Sequence, residues 1–176
     1  ALQAVRKPAS LPHEEAAAIP AAGMSALQAL RDLGGLREGH RLLVNGAGGG
    51  IGVYAVQIGR LLGAHVTAVA SAGKHELLAG LGADALVDYR MADFTKTGES
   101  WDVVFDVVPN RGFGECSRVL SPEGTYVTTL PGAGPFLASV GAALRAPFGF
   151  RKSCRALVLK PRPEDLGWLL DRAAEG

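Results

Sequence analysis

The stretch that decides the fold is Asn45-Gly46-Ala47-Gly48-Gly49-Gly50-Ile51-Gly52, set between Arg41-Leu42-Leu43-Val44 and a run from Val53 to Ala64. Five of those eight residues are glycine. Glycine loses more backbone freedom on folding than any other residue, so such a cluster needs a reason. Upstream lies a short apolar strand. Downstream, Ile51, Ala55, Ile58 and Leu62 recur at a helical period. A strand, a bare turn and a helix together make an anion site. Backbone without side chains lets a phosphate approach, and the helix N-terminus offers unpaired N–H groups and partial positive charge. The turn spans Gly46 to Gly50, and the helix is predicted to start near Gly50. A strict G-x-G-x-x-G pattern fits no frame; Ala47-x-Gly49-x-x-Gly52 comes nearest. The plain alternative is a tight strand–helix turn that binds nothing.

Working outward, the chain alternates strand and helix. Strands are predicted at 65–70, rich in β-branched residues, at 84–89, at 101–108, at 124–130 and at 155–160. The run Trp101 to Val108 is nearly all apolar, as in a strand buried on both faces. Helices are predicted at 74–81, 112–120 and 163–174, with Pro163 near the first turn of the last. Before the first strand, Ser25 is read as the cap of a helix reaching Leu33, with Gly34-Gly35 ending it. Segment 136–146 reads as a helix and 147–153 as loop. This order predicts an α/β fold: a doubly wound parallel sheet of about six strands with helices on both faces. Residues 1–40 are expected to form a helical lead-in packed on a domain spanning 41–176.

The second informative place is the end of the second strand, Ala70-Ser71-Ala72-Gly73-Lys74. A site for NAD usually carries an acid there to bind the ribose 2′-hydroxyl. Here Ser71 and Lys74 stand instead. A carboxylate would repel a 2′-phosphate, whereas a hydroxyl and an ammonium favour it. The position therefore favours NADP(H), although a lysine opening a surface helix has an equally ordinary reading as a solvated side chain.

Composition narrows the field. The 176 residues are 48% hydrophobic and 20% charged, with net charge +1, so no basic field argues for nucleic acid. The apolar runs are short and interrupted, so no membrane span is expected. The N-terminal stretch lacks the apolar run of a signal peptide, and Cys116 and Cys154 are far apart in sequence. Both point to a cytoplasmic protein with reduced thiols. His13, His40, His65 and His75 do not cluster in sequence and are read as surface or strand-edge residues, so no metal site is expected. Tyr54, Tyr89 and Tyr126 are followed four places on by Ile58, Asp93 and Leu130, so no Tyr-x-x-x-Lys pair exists, and no G-x-S-x-G elbow occurs.

With these residues in hand, the chain resembles the medium-chain dehydrogenase/reductase superfamily, closest to its zinc-free quinone oxidoreductase branch. The resemblance runs through Leu11–Leu30, Val44–Ser71, Leu81–Arg90, Trp101–Val108 and Leu159–Leu166. It implies a Rossmann-type domain whose turn residues Ala47, Gly48, Gly49, Gly50, Ile51 and Gly52 hold the cofactor, with Gly49, Gly50 and Ile51 offering backbone to the pyrophosphate. It implies that Ser71 and Lys74 hold the 2′-phosphate of NADP(H), with Tyr89 near the adenosine end. Ser25 stands where the family often has Thr beside the nicotinamide. Asp106, Val107, Val108 and Leu130 end strands that line the cofactor cleft. For Tyr89 and Ser25 the ordinary readings are a strand-end aromatic and a helix cap. Pro109 departs from the glycine common after the fourth strand, and it fixes φ and removes a donor. Where zinc-dependent relatives place a cysteine ligand, this chain has about Ala22.

The resemblance further implies hydride transfer from NADPH to a quinone or an α,β-unsaturated carbonyl substrate. It implies a separate, mostly β, GroES-like catalytic domain that this chain is expected to lack, so that the chain alone would be inactive. The competing expectation is a catalytically silent dinucleotide-binding or oligomerisation module, forming a homodimer through the 155–160 edge.

Overall fold

The computed structural model describes residues 4–130 and 151–175. The expected helix at 136–146 lies outside the described residues. Six strands form one all-parallel sheet in the order β3-β2-β1-β4-β5-β6. They are β1 (Arg41–Asn45), β2 (His65–Ala70), β3 (Ala85–Asp88), β4 (Trp101–Asp106), β5 (Leu120–Thr128) and β6 (Ser153–Ala156). The chain winds outward from β1 to β3, then crosses back to the other side of β1 and runs from β4 to β6. This is the doubly wound order, and it opens a crevice at the carboxyl ends of the neighbouring strands β1 and β4, where the strand order reverses.

Alternation along each strand divides the core between the two faces. Leu42, Val44, Val66, Ala68, Val103, Phe105 and Val127 face one way, against α1 (His13–Leu27), α2 (Gly50–Leu61) and α5 (Pro163–Glu175). Leu43, Val69, Val104, Tyr126 and Cys154 face the other, with Phe94, Trp101 and Cys116. The short helices α3 (His75–Gly80) and α4 (Phe113–Cys116) follow β2 and β4. Helix α2 lies close on the sheet: a Cβ added at Gly59 would stand 2.6 Å from the Leu42 side chain. That closeness anchors the helix whose start forms the glycine turn.

Several expectations change. The first helix begins at His13, not near Ser25, and passes through Pro20 and Gly23. It continues as a π-helix over Gln28–Leu33. Packing overrides the breakers: a Cβ at Gly23 would meet Leu169 of α5 at 3.2 Å, so the small residue lets two helices approach. Ser25 is therefore a buried mid-helix residue rather than a cap. Strand β5 starts at Leu120, four residues early, with a register break opposite Trp101/Val103. Strand β6 runs 153–156 rather than 155–160. Beyond it, Lys160 is tied to the start of the π-helix, where Gln28 Nε2 donates to the Lys160 carbonyl (2.7 Å) and Gln28 Oε1 accepts its N–H (3.1 Å). His40 and His75 are half-buried rather than surface residues, and each keeps one buried ring nitrogen without a partner among the described residues.

Candidate functional site

A cleft of about 450 Å³ opens at the carboxyl end of the sheet. Asn45, Gly46, Gly48 and Gly49 form its floor, Ser71 and Lys74 one wall, and Tyr89, Val108 and Asn110 its rim.

The glycine turn is built from three different requirements. Gly46 adopts φ +83°, and a Cβ there would fall 2.6 Å from Val108 Cγ2. Gly52 is packed against the turn itself, since its Cβ would lie 2.3 Å from the Gly46 carbonyl oxygen. Gly50 differs from both. Its φ is not positive, and a Cβ there would meet nothing within 4 Å. Nothing within the described chain requires glycine at that point. Helix α2 has no side-chain cap, and its first i→i−4 bond runs from Val53 N–H to the Gly49 carbonyl (3.0 Å). The N–H groups of Gly50, Ile51 and Gly52 thus precede the helical ladder. Bare backbone, open space and unpaired donors coincide, which is the cradle a pyrophosphate requires.

The wall beside it carries the Lys74 stem, whose Cγ would lie 3.1 Å from a Cβ at Gly48. The base of the side chain thus lies against the turn. Tyr89 is exposed, with the Arg90 guanidinium 5.7 Å from its ring centre.

Beneath the floor is a buried polar network that spans three strands. Asn45 Nδ2 donates to Asp106 Oδ1 (2.8 Å), the Val108 carbonyl (3.1 Å) and Asn110 Oδ1 (3.1 Å). The Tyr126 hydroxyl donates to Asp106 Oδ2 (2.7 Å). Asp106 is fully buried. Burial pushes its carboxyl above the ordinary value, and the bonds from Tyr126 and Asn45 only partly oppose this. Burial, and then the hydrogen bond to Asp106, raise the Tyr126 hydroxyl.

The structure brings Gly48, Gly49, Ser71, Lys74, Tyr89 and Val108 together around the cleft. Other expected residues act differently. Ala47 and Gly52 are buried and shape the turn from below. Asp106 reaches the cleft only through Asn45. Ile51 and Val107 are partly buried and pack on the core. Ser25 is buried in α1 and is not part of the cleft lining. Leu130 is exposed beyond β5, also outside the lining. Asn45 and Asn110 were not expected. The legible signal for Asn45 is a polar residue closing an apolar strand, where a buried amide must find partners.

Comparison with known proteins finds relatives in sequence and in fold. The family model described as zinc-binding dehydrogenase matches residues 50–134. A chloroplast envelope quinone oxidoreductase homolog of Arabidopsis thaliana is 33% identical over 98% of this chain and 54% of its own length. The quinone oxidoreductase structure from Coxiella burnetii superposes with a TM-score of 0.79 at 27% identity, over 97% of this chain and 52% of that one. The chain belongs to the medium-chain dehydrogenase/reductase superfamily. Within that superfamily it falls in the quinone oxidoreductase-like branch. A 2-methylene-furan-3-one reductase of Solanum lycopersicum is a further relative, 40% identical over 72% of this chain and 32% of its own length. The chain thus spans about half the length, or less, of the relatives it matches. Among the described residues, no three His, Cys, Asp or Glu side chains gather as a metal-binding group. Also among them, no helix is long and apolar enough to cross a membrane.

Proposed function

We propose that this chain is the NADP(H)-binding domain of an oxidoreductase that passes hydride from NADPH to a quinone or an α,β-unsaturated carbonyl. The observation that carries the nucleotide reading is Gly50. It is bare, uncrowded and conformationally ordinary, at the uncapped start of a helix, directly after Gly49 of the cleft lining. The bound nicotinamide supplies the hydride; the protein binds and orients it. The N–H groups of Gly50 and Ile51 face the pyrophosphate charge. Lys74 and the Ser71 hydroxyl favour a 2′-phosphate, and Tyr89 offers an aromatic surface to the adenosine end. Asn45, fixed by Asp106, holds the Val108–Asn110 rim in place. The substrate class is supported by the relatives, one a quinone oxidoreductase homolog and one a reductase of an exocyclic enone.

Titration with NADPH and with NADH, followed by nicotinamide fluorescence at low salt, tests the nucleotide site. Lys74→Ala should weaken NADPH binding by about tenfold or more, since a charge-assisted bond is worth about 1.5–3 kcal/mol. NADH binding should stay unchanged. Equal losses for both nucleotides would overturn the 2′-phosphate assignment. Loss of NADPH absorbance with a benzoquinone or a simple enone, in the protein as its gene encodes it, tests the substrate class.

A further inference from the structure

The sequence shows no acid at the end of β2, yet the fold delivers one to that place from the neighbouring strand. Asp88 closes β3, and its Cα pairs with Ala70 at the end of β2. Its Oδ2 accepts the Ala72 N–H at 3.3 Å, within the Ser71–Lys74 turn that walls the cleft. Its Oδ1 accepts the Arg90 N–H at 2.9 Å, which folds the chain back directly after Tyr89. We infer that Asp88 is a specificity-determining residue, which holds down the preference of this site for a 2′-phosphate and supports binding of the unphosphorylated ribose. The inference rests on the nucleotide reading above.

The physical grounds are threefold. A carboxylate accepts hydrogen bonds from a sugar hydroxyl and repels a phosphate. The bond to Ala72 also removes a backbone N–H from the donors the turn would otherwise offer an anion. Lys74, in the same turn, and Arg90 over Tyr89 carry the opposing charge. Selectivity at this mouth is then a balance between two cations and one anion rather than the consequence of a missing acid. The balance is electrostatic and exposed, so it depends on ionic strength.

The test is titration of the parent chain, Asp88→Asn and Asp88→Ser with NADPH and NADH, at low salt and at high salt, with thermal unfolding as the control. Removing one negative charge near a doubly charged phosphate in a hydrated setting should tighten NADPH binding by about tenfold. NADH binding should stay level or weaken, and the NADPH gain should shrink at high salt. Asp88→Ser keeps an acceptor for the turn and should give the same direction if Asp88→Asn unfolds. Equal shifts for both nucleotides, or no shift in either, in a variant that melts like the parent would overturn the inference. A parent chain that binds neither nucleotide would overturn the nucleotide site itself, and this inference with it.

Discussion

Two glycines two residues apart should fail in opposite ways. At Gly52 an added Cβ would lie 2.3 Å from the Gly46 carbonyl oxygen and 2.6 Å from Ala47 Cα, distances that real Cβ atoms essentially never show. The neighbours are backbone, so the turn or the helix must move. Overpacking of this kind costs about 1–3 kcal/mol or more, and the gain of alanine over glycine in a helix returns only about 0.5–1 kcal/mol. Gly52→Ala should therefore lower stability by about 1–2 kcal/mol, or roughly 2–8 °C in Tm for a domain of this size. At Gly50 the same Cβ meets nothing within 4 Å, so Gly50→Ala should melt at or slightly above the parent. Its methyl group instead fills the space proposed for the pyrophosphate. Loss of a single N–H bond to a charged oxygen would weaken nucleotide binding by about tenfold to a hundredfold. Thermal unfolding and fluorescence titration of both variants separate the two effects. A Gly50→Ala chain with parental affinity would refute the assignment of bare backbone to a ligand. A Gly52→Ala chain with parental Tm would refute the packing reading.

Two further outcomes concern the scaffold. Gln28→Ala removes a 3% exposed side chain that bonds both backbone groups of Lys160 and the Asp165 carboxylate. It should cost about 2–4 kcal/mol, read as a fall in Tm with nucleotide affinity retained; unchanged melting would show that α5 is held otherwise. The buried Asp106 carboxyl is raised in the fold, so its contribution to stability is full below the ordinary value of 3.8 and is lost as pH rises through the raised value. Asp106→Asn should therefore flatten the decline in Tm over that window, and parallel Tm–pH curves for parent and variant would contradict the sign.

The strands around the glycine turn were legible because each signal there is local. Leu42 to Val44 and Val103 to Phe105 are apolar runs buried on both faces. A β-branched strand such as 65–70 has no competing helical period. Helix α1 was misread because Pro20 and Gly23 are local breakers, and the meaning of Gly23 is set by a distant partner, Leu169. The start of β5 was misread for a similar reason. Ser121, Pro122 and Glu123 look like a turn, but they are carried in the strand through its register break opposite β4. The site divides along the same line. Gly48, Gly49, Ser71 and Lys74 sit on one βαβ unit and could be placed by spacing. Asp88 could not, because its proximity to Ala72 comes from lateral pairing of β2 with β3. Asp106 was read as a contact residue, yet its burial turns it into a support for Asn45.

That support has a mechanical meaning. Asn45 ends β1, Asp106 ends β4 and Tyr126 belongs to β5, so one chain of hydrogen bonds laces three adjacent strands on both sides of the crevice. The floor of the crevice is thereby braced across β1, β4 and β5. A dinucleotide entering it meets a floor already ordered by these bonds, so less of the free energy of its contacts is lost in ordering that floor.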